Sequence, residues 1–92
     1  MELQSRVALV TGGAGGIGGA VVRSLAKAGI RGVAINYRNS SKEAEDLASD
    51  IERAGVRALA VQANVQSDEQ VRAMIAKIRK QFGRLDILVN NA

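Results

Sequence analysis

The sequence predicts an α/β fold, a doubly wound parallel sheet of four strands in the order 3-2-1-4. Two observations lead to this prediction. Short apolar runs rich in valine, alanine and isoleucine alternate with longer segments whose apolar residues recur at helical spacing. The connections between these segments are short, and crossovers between parallel strands are right-handed in nearly all proteins. Such an alternation places helices on both faces of a parallel sheet.

The strands and helices follow one another along the chain. Apolar runs predict strands at residues 6–10, 32–37, 57–63 and 85–89. Apolar residues at helical spacing predict three helices, whose buried stripes cover residues 17–28, 44–54 and 71–82. Each helix is followed by a glycine that favours its termination: Gly29, Gly55 and Gly83.

Two helix starts carry a further signal. Ser40 with Glu43, and Ser67 with Gln70, have the spacing of capping boxes, in which each side chain hydrogen-bonds the backbone N–H of the other residue. We therefore expect the second helix to begin next to Ser40 and the third helix to begin next to Ser67.

Composition and charge argue against several classes of function. The 92 residues suffice for one small domain. The net charge of +4 comes from scattered basic residues, and two aromatic residues are too few for base stacking, so no nucleic-acid partner is expected. The chain has no cysteine and no histidine, and no apolar run approaches the roughly 20 residues that span a bilayer. We expect a cytoplasmic protein without a metal site or a membrane partner.

The segment from Thr11 to Gly18 says most about function. It reads Thr-Gly-Gly-Ala-Gly-Gly-Ile-Gly, follows the first predicted strand and opens the first predicted helix. Glycines let the backbone approach phosphate groups closely, and a helix N-terminus offers free N–H groups and partial positive charge. The Gly-Lys-Ser/Thr of nucleotide-triphosphatase loops is missing, because Gly18 is followed by Gly19 and Ala20.

This loop therefore predicts a dinucleotide site. Its glycines fit both the G-x-G-x-x-G and the T-G-x-x-x-G-x-G spacing within a strand–turn–helix context, which makes the motif much more specific than glycines alone. The loop residues expected to contact the cofactor are Gly12, Gly15, Gly16, Ile17 and Gly18.

The end of the second strand indicates which dinucleotide is bound. An acidic residue there would bind the adenosine ribose hydroxyls and repel a 2′-phosphate. This chain has Tyr37, Arg38, Asn39 and Ser40 instead. A guanidinium pairs well with a phosphate dianion, and Ser40 adds a donor at a helix start. These four residues favour NADP over NAD, whereas Asn36 and Ser41 are interpreted as turn and capping residues.

Two further strand ends are expected to border the cofactor. At the third, the Asn64 side-chain oxygen could accept from the adenine amino group, and Val65 could offer a backbone N–H. At the fourth, Asn90 and Ala92 are expected beside the cofactor, while Asn91 is interpreted as a structural residue that satisfies backbone groups.

The residues needed for catalysis are not evident. Tyr37, the only tyrosine, has no lysine four residues after it, and no carboxylate pair converges as an acid–base pair would. Asp86 is interpreted as a turn or ion-pair residue. The carboxylates of the second helix, Glu43 among them, are interpreted as a solvated face.

Taken together, these motifs resemble the short-chain dehydrogenase/reductase family, and most of all its 3-oxoacyl-carrier-protein reductases. Thr11–Gly18 matches the family's T-G-x-x-x-G-I-G loop, and residues 90–92 match the start of its N-N-A-G motif. Residues 83–89 are typical of its approach to the fourth strand. Asn64 departs from the usual aspartate, and Gly15 stands where NADP-preferring members often have serine or arginine.

The resemblance implies a Rossmann-type domain of which residues 1–92 form the cofactor-binding N-terminal half. The family's catalytic serine and Tyr-x-x-x-Lys pair are not present in this sequence, so no catalytic residue is assigned. A complete protein of this kind would transfer hydride between NADP and a small carbonyl, alcohol or acyl-carrier substrate, and would commonly form a homo-oligomer.

An alternative interpretation stays open. The fourth strand would form an open apolar edge in an incomplete sheet, and such edges pair with other chains. The chain could therefore be a truncated, non-catalytic module that binds a dinucleotide or completes a sheet with another subunit.

Overall fold

The computed structural model describes residues 2–91 and contains one parallel sheet. Its strands are β1 (Val7–Val10), β2 (Gly32–Tyr37), β3 (Arg57–Gln62) and β4 (Ile87–Val89). Its helices are α1 (Gly16–Lys27), α2 (Ser41–Arg53) and α3 (Asp68–Phe82). A single 3₁₀ turn, Leu3–Ser5, precedes β1.

The strand order is β3-β2-β1-β4 and all pairings are parallel, which confirms the predicted fold class and order. Leu9 of β1 stands in register with Ala34 of β2 on one side and Leu88 of β4 on the other. The chain therefore reverses its direction of winding between β1 and β4. In such sheets, ligands bind outside the carboxyl ends of the strands near this point.

The core has two layers because successive side chains of a buried strand point to opposite faces of the sheet. One layer joins alternate strand residues to α1 and α2: Ala8, Val10, Val22, Val33, Ile35, Leu47 and Ile51. The other joins the intervening strand residues to α3: Val7, Leu9, Ala34, Val61, Met74, Ile78 and Phe82. The stripes of α2 and α3 are those that the sequence predicts. In α1 the predicted stripe is wrong in part, because Val22 is the buried apolar residue, whereas Val21 and Leu25 are only partly buried and Ile17 and Ala28 are exposed.

The helices end as their glycines predict, but their starts differ from the capping boxes expected. Gly29, Gly55 and Gly83 have φ of 85°, 95° and 81°, the left-handed conformation that ends helices. Ser67 caps α3 by accepting from the Gln70 N–H at 3.2 Å, yet the Gln70 side chain accepts from the Asn64 N–H instead of reaching back. Ser40 is the N-cap of α2, but its side chain makes no capping bond. The second capping box is therefore half formed and the first is not formed.

Asp86 joins β4 to β1 at the amino ends of these strands. The Val7 N–H donates to one carboxylate oxygen of Asp86 at 2.9 Å, and the Asp86 N–H donates to the Val7 carbonyl at 2.9 Å. Arg84 donates to both oxygens of the same carboxylate, at 2.8 and 2.7 Å, and Arg6 lies 3.4 Å away. Asp86 is thus the ion-pair residue that the sequence predicts. Its side chain takes the place of the strand pairing expected here, so β4 begins at Ile87 rather than at 85.

The outer side of β4 has no pairing strand within residues 2–91. Ile87 and Val89 pack against the α1 and α2 layer, whereas the Leu88 side chain on the opposite face is 63% exposed. This is the open edge that the sequence predicts.

Candidate functional site

The loop between β1 and α1 has the shape of an anion site. Gly12 and Gly16 adopt φ of 60° and 57°, a left-handed conformation that other residues rarely adopt. Gly15 is the extended N-cap, so the first N–H groups of α1 have no partner earlier in the helix. The first turn of α1 contains no acidic residue that would compete with a bound phosphate.

Gly18 lets this loop fold tightly over the helix. A Cβ atom at position 18 would stand 2.1 Å from the Gly12 carbonyl oxygen and 2.8 Å from the Asn91 side-chain nitrogen. That nitrogen itself donates to the Gly12 carbonyl at 3.0 Å. The close approach leaves no room for any side chain at position 18.

Asn36 holds the other side of the loop, although the sequence pattern predicts only a turn or capping residue there. It is 2% exposed, its side-chain oxygen accepts from the Gly12 N–H at 3.2 Å, and its carbonyl accepts from the Gly13 N–H at 2.9 Å. Its side-chain nitrogen donates to the carbonyls of Val61 and Ala63 at 3.4 and 3.2 Å. One buried amide therefore joins the loop to the ends of β2 and β3. A lone asparagine in an apolar strand, one residue before the strand ends, is the signal that could have revealed it.

The end of β4 is held to the loop through Thr11. The Thr11 hydroxyl donates to the Asn90 side-chain oxygen at 3.2 Å and accepts from the Asn91 N–H at 3.0 Å. Together with its bond to Gly12, this gives Asn91 the structural role that the sequence predicts. Asn90 lies beside the loop, and Ala92 falls outside the described residues.

Two adjacent pockets lie at the carboxyl ends of β1, β2 and β3. The smaller, of about 210 Å³, is lined by Gly12, Asn36, Arg38, Ala63, Asn64, Val65 and Gln66. The larger, of about 430 Å³, is lined by Gly12, Ala14, Gly15, Gly16, Tyr37, Arg38, Asn39, Ser40 and Glu43. Nine of the residues predicted from the sequence therefore come together at one edge of the sheet, with Gly12 and Arg38 shared by both pockets.

The remaining predicted residues lie around these pockets. Ile17 lies in the first turn of α1 beside them, and its side chain is 76% exposed. Gly18 lies beneath the loop, where it sets the backbone path. A larger depression of about 800 Å³ lies on the outer surface of α2, away from the strand ends, and is lined by that helix alone.

Asn64 is oriented by its own turn. Its side-chain oxygen accepts from the Gln66 N–H at 3.0 Å, and its N–H donates to the Gln70 side chain at 2.7 Å. The oxygen that the sequence assigns to adenine thus already has one donor, and its second lone pair is left for a ligand. Val65 follows with 37% of its surface exposed.

A basic side chain without an ion pair borders the pockets, whereas an acidic side chain held by hydrogen bonds lies at the opposite end of the sheet. Within residues 2–91, the exposed Arg38 side chain makes no ion pair, so its guanidinium is available to an anion at the pocket. At the opposite end of the sheet, hydrogen bonds from Arg84 and from the Val7 N–H hold the pKa of Asp86 well below its usual range. Asp86 is therefore charged at neutral pH and acts as a structural group rather than as an acid–base residue.

Residues 2–91 contain neither a membrane-spanning helix nor a cluster of metal ligands. No helix in this range is long and apolar enough to cross a membrane. No group of three acidic side chains in the same range comes together as a metal site would require.

Comparisons with known proteins agree with this geometry. The family model described as short chain dehydrogenase matches residues 6–92. The 3-oxoacyl-[acyl-carrier-protein] reductase FabG of Staphylococcus aureus is 46% identical over 88 residues, which are 96% of this chain and 35% of that protein. This chain thus spans about a third of the length of that relative.

A second relative is much shorter. The short-chain dehydrogenase/reductase homolog YusS of Bacillus subtilis is 47% identical over 92 residues, which are all of this chain and 84% of that protein. Among solved structures, FolM alternative dihydrofolate reductase 1 of Brucella canis, crystallised with NADP, superposes with a TM-score of 0.89. It is 38% identical, and the match covers 99% of this chain and 36% of the other. The chain belongs to the short-chain dehydrogenase/reductase family of oxidoreductases.

Proposed function

We propose that this chain is the NADP-binding part of a short-chain reductase that transfers hydride to a carbonyl group, of the 3-oxoacyl type or similar. The observation that carries the proposal is the pair of pockets joined by Gly12 and Arg38. They combine a glycine loop at a helix N-terminus with a guanidinium at the end of the neighbouring strand. Phosphate groups fit both features.

Each part of the site has a role in this proposal. The N–H groups at the start of α1 would bind the pyrophosphate, and Arg38 with Asn39 and Ser40 would bind the 2′-phosphate. Asn64 and Val65 would border the adenine, and Asn90 the nicotinamide half. NADP, when bound, supplies the hydride chemistry, and these residues hold and orient it.

Two observations support NADP over NAD. The end of β2 carries Arg38 and no acidic residue before Glu43. The Brucella canis structure that this chain resembles was crystallised with NADP. The substrate type is suggested by the likeness to the Staphylococcus aureus reductase. The likeness to this family also suggests a homo-oligomer.

A titration of the 92-residue chain with NADPH and NADH tests the proposal. The fluorescence of each reduced nicotinamide is followed at fixed ligand and increasing protein. We expect saturable binding of both, with NADPH bound at least about tenfold more tightly because of its charge-assisted contact with Arg38. Binding of neither dinucleotide would overturn the proposal, and tighter binding of NADH would overturn its cofactor assignment.

A second candidate function is a dinucleotide-binding module without catalysis. The observation in its favour is the short Bacillus subtilis relative, 84% of which this chain covers. The two candidates share the binding site and differ in turnover. The measurement that discriminates them is the oxidation of NADPH by the chain in the presence of a 3-oxoacyl substrate.

A further inference from the structure

We propose that Glu43 is a second specificity-determining residue of the phosphate subsite, where its carboxylate opposes Arg38 and weakens the binding of the 2′-phosphorylated dinucleotide. The inference rests on the proposed dinucleotide site and adds a residue to it. It follows from the position of one carboxylate group relative to the glycine loop.

The Glu43 side chain reaches from α2 toward the β1–α1 loop. One of its carboxylate oxygens, Oε2, lies 3.2 Å from the point where a Cβ atom of Gly15 would stand. Glu43 also lines the 430 Å³ pocket together with Arg38, Asn39 and Ser40. A negative charge therefore borders the same pocket as the guanidinium.

A role in capping α2 does not account for this position. Ser40 makes no side-chain capping bond, and the Glu43 side chain makes no hydrogen bond or ion pair within residues 2–91. Arg38 and Glu43 line one pocket without forming a salt bridge. The charge of Glu43 is thus not neutralised by a protein partner and acts on whatever occupies the pocket.

Gly15 explains why this carboxylate reaches the loop. Its backbone is extended, with φ of −156°, a conformation that any residue adopts. Apart from the residues next to it in the chain, the Glu43 oxygen is the one atom of residues 2–91 within 4 Å of its added Cβ. Any side chain at position 15 would occupy the space between the loop and Glu43, and glycine leaves that space open.

The carboxylate acts differently on the two dinucleotides. It repels the dianionic 2′-phosphate of NADPH, whereas it can accept a hydrogen bond from a ribose hydroxyl of NADH. Arg38 acts in the opposite sense on the phosphate. The preference of this chain for NADPH then depends on how far the attraction of the 2′-phosphate by Arg38 exceeds its repulsion by Glu43. Removing the charge of Glu43 should increase this preference.

The test measures Kd for NADPH, NADH, 2′,5′-ADP and 5′-AMP with the full chain and with Glu43→Gln. At low ionic strength we expect Glu43→Gln to bind NADPH and 2′,5′-ADP about three- to tenfold more tightly, because one repulsive charge is lost. NADH and 5′-AMP should bind unchanged or more weakly. The gain for NADPH should shrink at high salt, which screens exposed charges.

Glu52→Gln is the matched control, since it removes the same charge from the far end of the same helix. It should leave all four affinities within about twofold, because its charge stands roughly 13 Å farther along α2 and the Coulomb energy falls with distance. Glu43→Ala is the second variant and should act in the same direction as Glu43→Gln. Circular dichroism verifies that each variant is folded.

The outcomes separate the two proposals. Failure of the unmodified chain to bind any of the four ligands would overturn the dinucleotide site, and this inference with it. Binding by the unmodified chain, with the NADPH-to-NADH ratio unchanged in both Glu43 variants or changed equally in Glu52→Gln, would overturn the role of Glu43 alone.

Discussion

Arg38 is the residue on which the cofactor preference should depend most directly. Its exposed guanidinium borders both pockets and has no ion-pair partner within residues 2–91. We expect Arg38→Asp to weaken NADPH binding about ten- to hundredfold, since a charge-assisted bond is worth about 1.5–3 kcal/mol. NADH binding should change less than about threefold. Fluorescence titration of the two dinucleotides measures both effects.

The matched control for Arg38 is Arg53→Asp at the far end of α2, which makes the same charge reversal away from the pockets. It should leave both affinities nearly unchanged. An equal loss for NADPH and NADH in Arg38→Asp would show that Arg38 does not recognise the 2′-phosphate.

Asn36 should be the costliest polar side chain to remove. Its truncation to alanine leaves the Gly12 N–H and the carbonyls of Val61 and Ala63 without this partner. An unsatisfied buried group costs about 1–3 kcal/mol. We therefore expect Asn36→Ala to lower the free energy of unfolding by about 2 kcal/mol or more. Urea denaturation measures it, with the exposed Asn39→Ala as a control expected to change by less than about 0.5 kcal/mol.

A wild-type-like denaturation midpoint for Asn36→Ala would mean that water or backbone rearrangement replaces the amide. The lone asparagine in an apolar strand could have signalled a buried role, but its partners could not be foreseen, because they are backbone groups of two segments distant in sequence, the β1–α1 loop and the end of β3. Sequence spacing indicates what a residue type can do, but not which carbonyls the fold brings to it. The same reason explains why Glu43 was interpreted as part of a solvated face: it is exposed, and only the structure puts its carboxylate beside Gly15.

Within a single element, two adjacent glycines near the start of α1 should respond in opposite ways to substitution. Alanine should destabilise the protein at position 18 and stabilise it at position 19. A Cβ at Gly18 would meet the Gly12 carbonyl at 2.1 Å, a backbone contact that forces the loop to move. A Cβ at Gly19 would meet its nearest neighbour, the Ala14 carbonyl oxygen, at an ordinary 3.7 Å. We expect Gly18→Ala to destabilise by about 1–3 kcal/mol. Gly19→Ala should stabilise by about 0.5–1 kcal/mol, because glycine is a poor helix former.

Urea denaturation of the two variants, side by side, checks this prediction. Equal effects of the same sign would show that the loop adapts to a side chain at position 18. NADPH titration adds a second readout, since a displaced loop in Gly18→Ala should also weaken pyrophosphate binding.

The sequence predicts the bounds of some elements better than those of others, and the reasons are physical. The bounds of β2 agree at residues 32–37, because its buried apolar run ends in a polar turn. The predicted fourth strand begins two residues too early. The sequence around Leu85 and Asp86 is typical of a strand, but the Asp86 carboxylate accepts the hydrogen bond from the Val7 N–H. Capping boxes were read from spacing alone, and a third residue, Asn64, competes for the Gln70 side chain.

At the scale of the whole molecule, Asp86 links stability to pH. Its pKa is lowered in the folded protein by Arg84 and by the Val7 N–H, so its contribution to stability is present above the unfolded pKa of about 3.9. That contribution is lost progressively as the pH falls below this value toward the lower folded pKa. We expect Asp86→Asn to be less stable than the unmodified chain at neutral pH.

The difference between the two proteins should narrow as the pH falls from about 5 to 2, because the unmodified chain becomes protonated at the same carboxyl. Thermal denaturation at a series of pH values measures this convergence. A constant difference over that range would show that Asp86 acts through shape and not through charge.

The whole chain should bind its cofactor without turning it over. Its single tyrosine, Tyr37, lies in β2 and is followed four positions later by Ser41 instead of the lysine of the family's pair. We expect no protein-dependent oxidation of NADPH, followed by absorbance, when the chain is mixed with a 3-oxoacyl substrate. Turnover above the protein-free blank would contradict this and would exclude the non-catalytic module.

The position of Tyr37 has an optical consequence. The chain contains no tryptophan, so one half-buried phenol ring, which lines the 430 Å³ pocket, is the source of its ultraviolet emission. A reduced nicotinamide absorbs light in the range where tyrosine emits, and energy transfer between the two groups falls steeply with distance. The protein therefore contains an intrinsic reporter at the site itself, and quenching of that single emitter records occupancy without a label.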